Sequence, residues 1–227
     1  MTTPGGPEDR LRELAAVMSR LRRECPWDAK QTHESLAPHL LEESYEALEA
    51  LESGDPDALR EELGDVLLQV MFHAEIASER TDGTGYTIDD VAGGIADKLT
   101  RRHPHVFGDV SVSGADEVKQ NWDAIKAAER AAKGRGPGSV LDGVPFGQPA
   151  LALAAQLQRR AERAGVPAEL GDLPGADGDA PVSEIGVQLF ALVARARAAG
   201  RDPELELRAA ARAYRDRVRA WEQDHEA

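Results

Sequence analysis

The stretches LLEESYEALEAL (40–51) and EELGDVLLQVMFHA (61–74) decide the fold. At 100° per residue, Glu62, Asp65, Gln69 and His73 fall on one narrow polar stripe of the second stretch. Leu63, Val66, Leu67, Leu68, Val70, Met71, Phe72 and Ile76 cover nearly all the rest of it. A helix apolar almost all round is expected to be buried. Carboxylates on its polar seam would then lose solvation worth several kcal/mol each unless something compensates them. A hard divalent cation, which takes oxygen ligands, is the compensation that needs fewest residues. On the first stretch, Glu43 and Glu46 lie on one flank of the Leu40/Leu41/Tyr45/Leu48/Leu51 stripe, and Ala47 and Ala50 beside them leave room for a ligand. Glu42, Glu49 and Glu52 point further out and read as a solvated face. The expectation is a metal site built from Glu43, Glu46, Glu62 and Asp65. The competing reading is a polar seam with a purely structural role.

The neighbouring punctuation supports the pairing of these two stretches. Ser-Gly-Asp-Pro (53–56) is a strong turn signal, so helices over 35–52 and 57–80, the first starting near Ser35, are antiparallel neighbours. Each acid pair then lies about two turns from the connection, and the pairs come face to face. A preceding helix is expected over 8–24, with Leu11, Leu14, Ala15, Met18 and Leu21 at helical spacing. A Cys-Pro-Trp-Asp break (25–28) follows it. Downstream, a helix over 88–102 ends before Pro104 in KLTRRHPHVF (98–107). Lys98, Arg101 and Arg102 share a face of its last turn, where they suit either a helix C-terminus or a phosphate. A further helix is expected over 115–132.

Composition excludes several classes. Aromatics are 4% of the 227 residues, and the abundance of Ala, Leu, Glu and Arg favours helices over sheets. A net charge of −14 argues against binding a nucleic-acid backbone, though not against a small anion that brings its own metal ions. The one cysteine, Cys25, cannot form an internal disulfide, which points to a reducing cytoplasm. It carries no mark of a nucleophile. No signal peptide and no apolar run of about 18 residues is present, so no membrane association is expected.

A Gly/Pro-rich linker (134–149, with domain limits set at 1–135 and 150–227) leads into a faded repeat. Residues 62–74 align without gaps on 184–196. Glu62, Gly64, Leu67 and Ala74 recur as Glu184, Gly186, Leu189 and Ala196, whereas Asp65 becomes Val187 and Gln69 becomes Ala191. Residues 98–102 correspond to 213–217, with Ala213 in place of Lys98 and Asp216 in place of Arg101. The segment 167–181 is turn-forming and expected to be disordered, and it cannot supply an acid helix. The second half keeps packing residues such as Ile185, Leu189, Phe190, Leu192 and Val193 and drops the chemistry. It reads as a scaffold packed on the first half or across a dimer interface.

Trp27-Asp28-xx-Gln31-Thr32, then LLEESYE, ELGD and KLTRRHPHVF, in that order, closely resemble the MazG nucleoside triphosphate pyrophosphohydrolases. The resemblance is strong over about 8–133, including NWDAIKAAER (121–130), and weak over 148–222. It implies an all-α antiparallel helical bundle of the MazG type with a second, smaller degenerate repeat. It also implies a homodimer, dependence on Mg²⁺ (or Mn²⁺), and hydrolysis of NTPs to NMP and pyrophosphate. Glu43, Glu46, Glu62 and Asp65 would be metal ligands, Lys98 with Arg101 or Arg102 would contact phosphates, and Trp27 would contact the base. Such chemistry needs water activated at the α-phosphorus and a neutralised pyrophosphate leaving group, which Mg²⁺ supplies. Either Glu43 or Glu46 could be the general base. Two other classes compete. A di-iron bundle needs paired Glu-xx-His motifs, and only Glu222-xx-His225 is present. The other is a non-catalytic helical interaction or nucleotide-binding protein; Lys98 and Arg101 argue against an interaction protein whose acids are only a polar seam.

Overall fold

The computed structural model describes residues 7–132, 138–173 and 182–225, and no strand occurs among them. The fold is all-α. The chain divides into two compact units, Met1–Ala128 and Glu129–Ala227.

In the first unit, α1 (Pro7–Glu24) ends with Arg22 and Arg23 in its last turn, where cations complement the helix dipole. A 3₁₀ turn at Asp28–Lys30 leads into α2 (His33–Ser53). That helix begins earlier than the expected Ser35 because Thr32 is its cap. The Thr32 hydroxyl accepts from the Ser35 N–H, and the Ser35 hydroxyl accepts from the Thr32 N–H, a reciprocal capping box. The helix stops at Gly54, whose φ of 75° is left-handed, a conformation open to glycine without a Cβ penalty. Asp55 then caps α3 (Pro56–Ser78), its carboxylate accepting from the N–H groups of Asp57 and Ala58. Pro56 follows in the first turn, where its missing N–H costs nothing. This tight connection makes the α2–α3 hairpin. Next come α4 (Ile88–Arg102), capped by Thr87 and Asp90, a short α5 (Pro104–Phe107) and α6 (Ala115–Ala132).

Met18 of α1, Leu36 of α2, and Met71 and Phe72 of α3 form the buried core, with Leu14, Leu67, Leu68, Ile76 and Ile88 packed around them. Its position corrects one expectation. Helix α3 is inside mainly over its second half, at Gln69, Met71, Phe72, Ala74 and Ala77, while Leu63 is 55% and Val70 38% exposed. On α2, Leu41, Tyr45 and Leu51 are also exposed. Within this unit α1 and α4 pack against α3 of the hairpin.

The second unit contains α7 (Ala150–Arg163), α8 (Glu184–Ala198) and α9 (Pro203–His225). Ala155, Val193 and Pro203 are buried in its helices, and the Gln158 amide donates to the Phe190 carbonyl at 2.9 Å. Of the expected linker, residues 133–137 lie outside the described residues. Residues 138–149 are irregular but fastened to α7: Val144 is buried, Arg160 donates to the Asp142 carbonyl, and Gln148 donates to the Gln156 side chain. Within 167–181, where disorder was expected, Ala168–Gly171 is instead a 3₁₀ turn, and 174–181 lie outside the described residues. No described helix is long and apolar enough to cross a membrane.

Candidate functional site

The antiparallel register of the hairpin builds the site. Near the open end, His33 of α2 meets His73 of α3, with Nδ1 atoms 2.8 Å apart and rings stacked nearly parallel. Closer to the turn, the same register brings Glu43 to Glu62 and Asp65. One carboxylate oxygen from each of these three lies within 4.8 Å of the other two. All three residues are half-buried.

The electrostatics are those of a site short of positive charge. The Glu43 carboxyl is held above its ordinary range first by burial and then by the charges of Asp65, Glu46, Glu42 and Glu62. Glu62 is raised by burial and then by Glu46, Asp65 and Glu61. Every charge acting on the two is another carboxylate, which disfavours ionisation. A hard cation with oxygen ligands would remove that repulsion, so the donor set fits a divalent ion. Glu46 stands outside the trio and is exposed, but its charge reaches both Glu43 and Glu62.

The remaining predicted residues have different surroundings. Trp27 is 54% exposed and makes edge contacts with His39 and Phe72, their ring centroids 6.1 and 6.4 Å away. His39 precedes Glu43 by one helical turn, a rise of about 6 Å. Lys98 and Arg101 are exposed near the end of α4, whereas Arg102 is half-buried with its guanidinium carbon 5.3 Å from the Trp122 ring centroid. Arg102 therefore joins α4 to α6 through a cation–π contact. His103 extends the same junction, donating to the Leu99 carbonyl and meeting the Trp122 ring edge-on.

Sequence reasoning missed Arg22. Its guanidinium donates to both carboxylate oxygens of Glu79 on the residue following α3, and to the backbone carbonyls of Asp28 and Gln31. It thus ties the Trp27-bearing segment to the core. No local spacing could reveal a pair separated by 57 residues. The His33–His73 pair was within reach, because the register that opposes the acids opposes these rings as well.

Residues 31–107 match the family model described as the MazG nucleotide pyrophosphohydrolase domain. The chain is 41% identical over 226 residues to the protein from Thermotoga maritima named nucleoside triphosphate pyrophosphohydrolase/pyrophosphatase MazG, covering 93% of this chain and 85% of that one. It belongs to the MazG family. An uncharacterized 26.1 kDa protein of Streptomyces cacaoi is 47% identical over 219 residues, covering 95% of this chain and 84% of that one. The Mycobacterium tuberculosis protein named nucleoside triphosphate pyrophosphohydrolase is 50% identical over 162 residues, or 71% of this chain. The chain spans 48% of that longer relative. The MazG match takes in the whole α2–α3 hairpin and α4, and so includes every acid of the cluster.

Proposed function

We propose that this MazG-family chain hydrolyses nucleoside triphosphates to nucleoside monophosphate and pyrophosphate, with a divalent metal, Mg²⁺ or Mn²⁺, held by Glu43, Glu62 and Asp65. The observation that carries the reading is the convergence of three half-buried carboxylates, of which Glu43 and Glu62 are held above their ordinary range by burial and by other carboxylates. The relatives named for that activity support the substrate class.

When bound, the ion would neutralise phosphate oxygens and make a water more acidic. Glu46, exposed beside the trio, is the residue we assign to accept a proton from the water attacking the α-phosphorus. The α–β anhydride bond breaks as the water oxygen bonds to phosphorus, and pyrophosphate carries away the electron pair. Lys98 and Arg101 offer exposed cations for the β- and γ-phosphates. The half-exposed Trp27 ring offers a stacking face for the base. Leu41, Leu51, Leu63 and Val70 are exposed apolar residues of the hairpin, which suits a homodimer. The single free thiol of Cys25 suits a reducing cytoplasm.

The test is pyrophosphate release from a panel of NTPs and dNTPs with Mg²⁺, Mn²⁺ or excess chelator. The expected result is strictly metal-dependent pyrophosphate release. Full activity in chelator, or orthophosphate as the primary product, overturns the proposal.

A further inference from the structure

Gln69 is the one buried polar or charged residue among those described, 5% exposed, and its side-chain oxygen has no hydrogen-bond partner. One turn further along the same stripe of α3, His73 Nε2 is likewise buried and unpaired. The partner of His73 is on its other nitrogen, at His33. If the His33 Nδ1–H donates, His73 carries an unmet donor on Nε2; if His73 donates, Nε2 is an unmet acceptor. In both tautomers the atom lacks a partner. Two unpaired polar groups on one buried seam, among Leu67, Leu68, Met71 and Phe72, destabilise the free chain with no structural return. An apolar residue at either position would pack without that penalty.

The faded repeat acts as an internal control. Where α8 retains the packing positions of α3, with Leu189 for Leu67 and Val193 for Met71, it has Ala191 for Gln69 and Arg195 for His73. Gln69 and His73 disappear together with Asp65, which becomes Val187. They follow the chemistry and not the core.

We infer that Gln69 and His73 form the subsite that selects among nucleotides, receiving a sugar hydroxyl or a base edge of the substrate whose phosphates lie at Glu43, Glu62 and Asp65. This rests on the hydrolase reading above and assigns the part of the substrate that the acids do not touch. Along α3, Gln69 follows Asp65 by about 6 Å and His73 by about 12 Å, separations that a nucleoside spans from a phosphate held at Asp65. The chemistry of the pair favours the nucleoside end. Burial, and secondarily His33, hold the His73 imidazole below its ordinary value, so it is uncharged at neutral pH. A neutral amide and a neutral imidazole suit hydroxyls and ring nitrogens, whereas a phosphate calls for Lys or Arg. The Trp27 ring lies against Phe72, on the turn between the two. A seam closed to water also discriminates well, because a wrong substituent leaves its polar groups unpaired. Entry requires a side chain at the seam to move aside.

The test compares kcat/KM across the four NTPs and four dNTPs, with tripolyphosphate as a probe lacking a nucleoside, in wild type, Gln69→Leu and His73→Phe. Mn²⁺ affinity, measured with the metal alone, reports on the acid cluster. The expected result is a drop of at least about tenfold in the ratio of preferred to least preferred nucleotide, with Mn²⁺ affinity and tripolyphosphate turnover unchanged. A uniform loss over all substrates, or an unchanged ratio in both variants, overturns the inference. Gln69→Met and His73→Phe carry the same comparison if Gln69→Leu does not fold. Wild type that binds Mn²⁺ but releases pyrophosphate from no nucleotide refutes the hydrolase reading; binding of non-hydrolysable α,β-methylene nucleotides then decides the inference, since equal affinity for all of them overturns it.

Discussion

Helices α3 and α8 share an apolar pattern and differ in the polar stripe they carry. Met71 and its counterpart Val193 are both inside, while Leu63 and Ile185, and likewise Val70 and Leu192, are exposed in both units. On the polar stripe, Glu62 persists as Glu184, but Asp65, Gln69 and His73 are replaced by Val187, Ala191 and Arg195. Helix α3 lies beside α2, which supplies Glu43; α8 packs with α7 and α9, and no acid helix faces it among the described residues. Packing and chemistry are thus separable features of one helical frame. Apolar periodicity maintains the fold, and three polar side chains together with a facing helix distinguish the half to which we assign the chemistry.

Removing an acid should break the comparison most sharply. Asp65→Asn or Glu62→Gln is expected to lower pyrophosphate release by more than the roughly 10–100-fold that loss of a metal's outer partner costs. Thermal stability should hold or rise, because each change removes like-charge repulsion from Glu43. Near wild-type turnover in both variants would place the site elsewhere. Dissecting the halves comes next. Residues 148–227 should show no turnover and residues 1–135 should keep part of it, measured as pyrophosphate release. Val187→Asp in the full chain should add nothing, since α8 has no facing carboxylate to complete a trio. Activity in the isolated second half would overturn the division of roles.

A smaller effect concerns pH and metal together. Glu43 and Glu62 have folded values above their ordinary 4.5. Between the ordinary and the raised value the folded chain binds more protons than the unfolded one, so stability falls as pH rises through that window. A divalent ion binds the ionised form and should reverse the trend, adding about 2.7 kcal/mol at a hundredfold excess over its Kd. Melting curves from pH 4 to 8 with and without Mg²⁺ check this. An Mg²⁺ shift that is absent at neutral pH, or unchanged in Asp65→Asn, would remove the metal from the trio.

Much of the first unit was legible because its signals are local. The Gly54–Asp55–Pro56 punctuation and the stripe from Glu62 to His73 fix helix pairing and register, and the register brings the acids together. What the residues did not disclose arises from tertiary geometry. Glu46 has the same spacing from Glu43 that Asp65 has from Glu62, yet only Asp65 turns into the cluster. Arg102 shares a face with Lys98 in sequence but is engaged by Trp122, a partner on another helix. The apolar circumference of α3 was read as burial, which holds for most of its second half, from Gln69 to Ala77, whereas Leu63 near its start and Val70 are exposed.

The smallest expected effect tests whether the segment bearing Trp27 is held by electrostatics or by shape. Arg22 pairs with Glu79 through two nitrogens, at 2.6 and 2.9 Å. Hydrogen bonding from Arg22 is the main reason the Glu79 carboxyl lies below its ordinary 4.5, against an opposing effect of burial. A depressed acid contributes stability that is present above the ordinary value and lost as pH falls through the folded one. Glu79 is about half exposed, so solvent screens the pair, and Glu79→Gln should cost only about 0.5–1 kcal/mol at pH 7. The difference from wild type should vanish in urea titrations below the depressed value; a constant difference at all pH values would mean that shape, not charge, was lost. Arg22→Lys should cost more than Glu79→Gln. A lysine cannot span Glu79 and the Asp28 and Gln31 carbonyls at once, and half-buried carbonyls left without a donor are destabilising in their own right.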